Sequence, residues 1–366
     1  MMPLEQMLHE TPYAAYTYSY PHKTAYRMLD PPVRLRDLWA AERRDSLFLY
    51  LHVPFCEMRC GFCNLFTTAN PKVDFEAAYL QTLQRQATRV REALGPASFA
   101  RMAIGGGTPT YLDPAGLHLL FDIAERILGA NPTGIPVSVE TSPGTADVEK
   151  LRVLRERGAD RISIGVQSFV DAEVAAVGRA QKRQVVEQAL DRIREAGFPT
   201  LNIDLMYGLP GQTVESWLAS LRTALQVAPE ELYLYPLYVR PLTGMGRQGK
   251  TWDDIRLACY RAGRALLLDA GYTQVSMRMF RSSHAPAQDG PVYCCQDDGM
   301  VGLGCGARSY TRGLHYSSEY AVGASGVRAI LRDYIEWPDQ TFDWANYGFA
   351  LDLDDQRRRY IIQSVL

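Results

Sequence analysis

The sequence predicts an α/β protein in which repeated βα units surround a parallel sheet. From residue 47 onward, short aliphatic or β-branched runs alternate with longer segments of helical period. Polar motifs recur directly after those runs, where parallel βα architectures carry their reactive groups. The chain has 366 residues, 47% hydrophobic and 22% charged, enough to bury the core of one large domain with an extension, or of two domains.

Six strands are expected at residues 47–53, 101–105, 136–141, 161–166, 200–205 and 231–239. Between the first two, Phe75, Tyr79, Leu83, Ala87, Val90 and Leu94 recur at steps of three or four and give a helix one buried stripe. The second helix opens at Asp113-Pro114, an N-cap acceptor followed by a proline at the position that needs no amide donor. Further helices are expected at about 147–157, 183–196 and 214–227, and an amphipathic one at about 253–270 places Cys259 in the core. The resulting division is an N-terminal arm (1–46), a central βα unit (47–240) and a C-terminal extension (241–366).

The formal net charge is −2, with basic and acidic residues interspersed, so charge gives no footprint for nucleic acid or an anionic membrane. The first residues carry no apolar signal region, and no apolar run approaches bilayer length. A cytoplasmic location is expected. Seven cysteines without a secretion signal point to reduced thiols and metal ligands rather than disulfides.

Cys56, Cys60 and Cys63 are spaced C-x3-C-x2-C just after the first strand. Four cysteines would satisfy every iron of a [4Fe-4S] cluster, whereas three within eight residues leave one iron open to bind a small molecule. Structural zinc is the alternative, but zinc wants four ligands and no His or Cys follows at a zinc-finger spacing. Behind the other strands stand Gly105, Gly106, Gly107 and Thr108, then Glu140, Gln167 and Asp204. Taken singly these read as a tight turn, solvated carboxylates and a helix cap; five strands aiming polar groups at one face do not read as core packing.

Tyr50-Leu-His-Val-Pro-Phe-Cys56, the three cysteines, Gly105-Gly-Gly-Thr-Pro-Thr-Tyr111, Ser163-Ile-Gly-Val-Gln-Ser-Phe169 and Asn202-Ile-Asp-Leu-Met-Tyr-Gly208 together resemble the radical S-adenosylmethionine (SAM) enzymes. The branch they are most similar to is the oxygen-independent coproporphyrinogen III dehydrogenase family. The resemblance runs from roughly Tyr16 to Thr311. It implies a partial, six-stranded TIM-like barrel with an N-terminal arm and a C-terminal α+β extension. It also implies an oxygen-sensitive enzyme whose [4Fe-4S] cluster reductively cleaves SAM to a 5'-deoxyadenosyl radical. Under it Cys56, Cys60 and Cys63 are the cluster ligands, and Tyr50 and Phe62 flank the nucleoside. Gly105, Gly106, Gly107 and Thr108 meet the methionine end, and Glu140, Gln167, Arg179 and Asp204 are polar cofactor contacts. It further implies a small-molecule or tetrapyrrole-like substrate and a reductant such as flavodoxin or ferredoxin.

Departures from that family bear on the reaction. The porphyrinogen enzyme has a further cysteine two residues past the third ligand, where Leu65 stands here, which argues against oxidative decarboxylation of a porphyrinogen. The heme-carrying relatives have His-Asn and Tyr-Trp motifs where Cys294-Cys-Gln-Asp-Asp298 stands, which argues against a chaperone. Cys63-Asn-Leu-Phe66 is more similar to members that methylate or rearrange carbon skeletons, and the segment 301–310 resembles the surroundings of a second SAM. The leading expectation is therefore functionalisation of an unactivated carbon, with methyl or methylene transfer from a second SAM as one form. Porphyrinogen decarboxylation and a non-catalytic heme or cluster carrier are the alternatives.

Several residues stay without an assigned role. Cys294, Cys295 and Cys305 could be buried thiols, a hydrogen-donating thiol or a second metal site. Arg240, Lys250, Arg278, Arg281 and Arg308 could receive substrate carboxylates. His52 is expected to hold a structural hydrogen bond and His118 to lie on the surface. Tyr13, Tyr16, Tyr18, Tyr20 and Tyr26 would either cover the substrate or pack the arm on the barrel wall. The apolar residues 360–366 end the chain uncovered, so a C-terminal helical domain found in relatives is expected to be missing.

Overall fold

A computed structural model describes residues 13, 20–249, 251–287 and 293–365; Tyr16, Tyr18 and Lys250 lie outside the described residues. Six strands run parallel and in sequential order: β2 (Leu47–Val53), β5 (Phe99–Gly106), β6 (Val137–Thr141), β7 (Arg161–Gln167), β8 (Thr200–Tyr207) and β9 (Glu231–Pro236). They occupy the positions expected, except that the last stops at Pro236, which has no amide to extend a ladder.

The sheet continues on both sides into a single set of thirteen strands. Beyond β9 lie β11 (Met279–Ser282) and then β10 (Tyr272–Gln274), both antiparallel. Beyond β2, β12 (Met300–Leu303) pairs in parallel. An antiparallel run follows through β13 (Arg308–Tyr310), β14 (Leu314–Ser317), β15 (Trp344–Ala350) and β1 (Arg27–Arg34). The β1 strand, contributed by the arm, and the short helix Leu35–Ala40 after it had no sequence signal in the analysis above; Pro31 and Pro32 make β1 read as a turn, and it survives as a strand at the sheet edge. A separate two-stranded pair, β3 (Phe55–Cys56) with β4 (Thr68–Ala69), ties the two limbs of the cysteine loop together.

Alternation along each strand sorts the residues into two faces. Leu47, Leu49, Leu51, Met102, Ile104, Val139, Ile162, Ile164, Leu201, Ile203, Leu232 and Leu234 point outward into the core, all at most 1% exposed, beneath the helices. The helix Val73–Leu94 buries Tyr79, Leu83, Ala87, Val90 and Leu94 as its spacing predicts, and Asp113 caps Pro114–Asp122 by accepting from the Gly116 amide at 2.7 Å. Cys259 is fully buried on Arg256–Asp269, and His118 is exposed.

The inner face is polar and cross-linked. Arg161 spans β7 to β9, donating to Glu231 at 2.7 Å, and reaches Ser138 on β6 at 2.8 Å. Asn202 donates to Ser163 and Asp204, both at 2.7 Å, so four neighbouring strands share one hydrogen-bonded wall. No helix among the described residues is long and apolar enough to cross a membrane.

Candidate functional site

The loop from Pro54 to Thr67 leaves the carboxyl end of β2 and carries all three cysteines. Neighbouring backbone pins it. The Gly61 amide donates to Val177 O and its carbonyl accepts from Met245, both at 2.8 Å, and a Cβ at Gly61 would lie 2.8 Å from Val177 O. Arg59 bonds the carbonyls of Thr67 and Val322. Phe62 packs with Val177, Met206, Met245 and Tyr235 at the ends of β8 and β9.

Donors lie beside the thiols: Thr108 Oγ1 is 3.6 Å from Cys56 Sγ, Arg179 Nη1 3.3 Å from Cys60 Sγ, and Thr67 Oγ1 3.6 Å from Cys63 Sγ. Burial pushes the Cys56 thiol up to about 12; the Thr108 bond opposes this, and the neighbouring Cys63 and Cys60 add to it. Cys60 is raised by burial and lowered by Arg179. Three thiols that resist ionisation together are suited to cationic iron, and donors aimed at the sulfurs are a means of setting a cluster's potential. Among the described residues no three Cys, His, Asp or Glu side chains converge on a single ion, which suits a cubane with separate irons better than one zinc. The residues present therefore fit a [4Fe-4S] cluster.

The glycines after β5 are where they are because nothing else fits. A Cβ on Gly105 would lie 2.8 Å from the Glu140 carboxyl carbon, and one on Gly106, at φ +114°, 2.4 Å from the His52 ring. One on Gly107 would lie 2.5 Å from Phe55 O and 3.0 Å from Cys56 Sγ. The Gly106 amide donates to Glu140 at 3.0 Å.

Glu140 faces open space yet stands deep within the protein, and burial raises its carboxyl to about 7, with Asp204 adding repulsion. Asp204 rises to about 6 through burial, against hydrogen bonds from Asn202 and Ser163. Gln167, at φ +70° past a register shift in β7, folds back so that its Nε2 would lie 3.0 Å from a Cβ on Gly165. Strain of that kind concentrates at functional sites. Arg179 is held by Gln181 at 2.8 Å and Gly165 O at 2.5 Å, which leaves its fork beside Cys60. His52 donates or accepts at Phe66 O (3.0 Å) and Tyr50 Oη (3.2 Å), the structural role expected of it.

A cavity of about 350 Å³ opens inside the strands, and Tyr50, Gly106 and Glu140 all line it. Cys295 and Arg308 line it too, whereas Cys305 is buried in the core and Cys294 accepts from Gln363 at 3.4 Å, so the three late cysteines do not form one site. Sequence reasoning missed Lys23, Leu65 and Tyr320 on the cavity wall; the only signal was that Lys23 follows the tyrosine-rich arm. Within that arm Tyr13 meets Tyr207, Tyr20 donates to Asp355 at 2.6 Å, and Tyr26 lines the cavity, so it both packs and covers. A second hollow, beside Gln81, Arg85 and Ile335 on the outer helix, holds none of the motif residues.

Comparison with known proteins agrees with this geometry. The profile of the radical SAM superfamily matches residues 50–224. Heme chaperone HemW of Bacillus subtilis is 31% identical over 272 residues, 72% of this chain and 71% of the relative. Oxygen-independent coproporphyrinogen III oxidase of Paracoccus denitrificans is 32% identical over 338 residues, 88% of this chain and 73% of the relative. The structure of coproporphyrinogen III oxidase (HemN) from Escherichia coli superposes with a TM-score of 0.81 at 26% identity, covering 96% of this chain and 82% of that one.

Proposed function

The chain belongs to the radical SAM superfamily, in the part that holds the HemW and coproporphyrinogen III oxidase relatives, and from that premise we propose that it is a radical enzyme acting on a bound organic substrate. When bound, the [4Fe-4S] cluster and SAM would supply an electron and, from it, a carbon radical able to remove a substrate hydrogen. The observation that carries the reading is convergence. The thiol loop after β2, the glycines after β5, Glu140 on β6, Arg179 after β7 and Asp204 on β8 meet at the carboxyl ends of five strands beside one cavity.

Each side chain then has a task of its own. Cys56, Cys60 and Cys63 would hold three irons. Arg179 would present paired donors to the cofactor carboxylate next to Cys60. Glu140 and Asp204, once ionised, would sit opposite the cofactor's ammonium and ribose hydroxyls. Gly105 to Gly107 would bring backbone close to its methionine end, and the Tyr50 ring would offer a face to the sulfonium.

Methyl transfer would need a second SAM, for which the β12–β13 turn at Gly306 and Arg308, across the cavity from Tyr50, is the position we assign. A second reading, heme carriage without catalysis, is favoured by the HemW relatives. Porphyrinogen oxidation is favoured by the oxidase relatives, although Leu65 lines the cavity where the resemblance would place a cysteine.

Anaerobic reconstitution with iron, sulfide, reductant and SAM, followed by mass spectrometry of 5'-deoxyadenosine, methylthioadenosine and S-adenosylhomocysteine, tests these. 5'-Deoxyadenosine that vanishes in Cys56→Ala supports the radical enzyme. Added S-adenosylhomocysteine indicates methyl transfer, and stimulation by coproporphyrinogen indicates porphyrinogen oxidation. Tight heme binding with no cofactor cleavage by a fully loaded cluster overturns the enzymatic reading.

A further inference from the structure

The two ends of the cavity carry opposite charge. At the inner end stand Glu140 and, behind it, Asp204. At the outer end the lining includes Lys23 from the arm and Arg308 from β13, with Tyr320 and Leu65 beside them. The Lys23 ammonium donates to two neutral oxygens, Asn64 O in the cysteine loop at 3.3 Å and the Tyr320 hydroxyl, and lies 4.0 Å from the Tyr320 ring centroid. The charges that act on it are Arg308, Arg240 and Cys63, with no carboxylate among them. Burial and those two guanidiniums lower it to about 7, and His22 beside it is lowered by burial and the same cations.

Like charges brought together from the arm, the segment after β9 and β13 repel one another, and holding them partly out of water costs free energy unless an anion joins them. We propose that the outer end of the cavity is an oxyanion subsite, in which Lys23 and Arg308 hold a carboxylate or phosphate of the substrate against the cysteine loop at Asn64. That the anion belongs to the substrate rests on the functional reading above. The subsite would fix which end of the substrate faces Tyr50 and Gly106, so Lys23 and Arg308 would be specificity-determining residues.

The test is equilibrium binding to the full, cluster-loaded chain without reductant. The probes are coproporphyrin III, its uncharged tetramethyl ester, and inorganic phosphate as competitor. The acid should bind about tenfold to a hundredfold more tightly than the ester, as loss of a charge-assisted contact implies. Lys23→Met and Arg308→Met should erase that difference, and Lys23→Arg and Arg308→Lys should keep it. Displacement of the acid by phosphate at equal charge would favour a phosphate as the natural group, and its failure a carboxylate; either supports the subsite. Equal binding of acid and ester to the unchanged protein, with phosphate inert, overturns it and needs no variant. Because no reductant is present, absence of 5'-deoxyadenosine in the earlier assay would refute the enzymatic reading alone.

Discussion

Gly107→Ala isolates the cluster loop from every other feature of the fold. The backbone at Gly107 lies outside the left-handed region, so an alanine there brings no intrinsic strain, only a new atom. That atom would stand 2.5 Å from Phe55 O and 3.0 Å from Cys56 Sγ, where ordinary contact begins at 3.4 Å. Relief therefore requires a shift of roughly 0.9 Å between the two segments, against a tolerance of about 0.2 Å for metal–ligand distances. The neighbours are not free to give way. Thr108 N donates to Phe55 O and Gly107 N to Val53 O, both at 2.7 Å, and Phe55 is fully buried. Overpacking of this kind costs about 1–3 kcal/mol, small for a chain with so large a core, while the displaced Cys56 sulfur should leave its iron. The assay is iron and acid-labile sulfide per chain after anaerobic reconstitution, with thermal unfolding in parallel. Iron should fall by half or more with the fold intact. Gly129→Ala is the control, since at φ +77° with nothing within 4 Å it brings backbone strain and no clash, and should leave iron unchanged. Iron and sulfide at the unchanged protein's level in Gly107→Ala would refute the placement of the cluster on this loop.

Three further outcomes are expected. Raised carboxyls at Glu140 (about 7) and Asp204 (about 6) are neutral in acid and ionise as pH climbs, so affinity for the cationic cofactor should increase through pH 6 to 7 and then level; equilibrium dialysis should show Glu140→Gln losing the upper part of that rise. Arg179→Met removes the donor 3.3 Å from Cys60 Sγ and the fork proposed for the cofactor carboxylate. SAM affinity should weaken about 10- to 100-fold, and the cluster potential, read by redox titration, should fall. Trp217→Ala empties a fully buried site whose indole donates to Cys259 O at 2.8 Å; chemical denaturation should show a loss of about 3–5 kcal/mol, and unchanged stability would contradict the packing of Val214–Gln226 on Arg256–Asp269.

The sequence by itself determined the βα order, the outward apolar stripe of each strand and the thiol loop, because these are encoded locally: period two, period 3.6 and spacing within eight residues. Glu140, Gln167, Arg179 and Asp204 were legible as candidates because strand ends are legible, although only the resemblance gave them roles. The structure alone decided what depends on distant segments meeting. Strand β1 with its two prolines becomes an edge of the sheet through pairing with β15, a partner more than three hundred residues away in sequence. Lys23 joins Arg308 beside the cysteine loop, Cys295 reaches the cavity while Cys305 sinks into the core, and the glycines at 105–107 are explained by the atoms of Phe55, His52 and Glu140 that press on them. Close approach and charge crowding are properties of pairs far apart in the chain, and no periodicity or spacing records them.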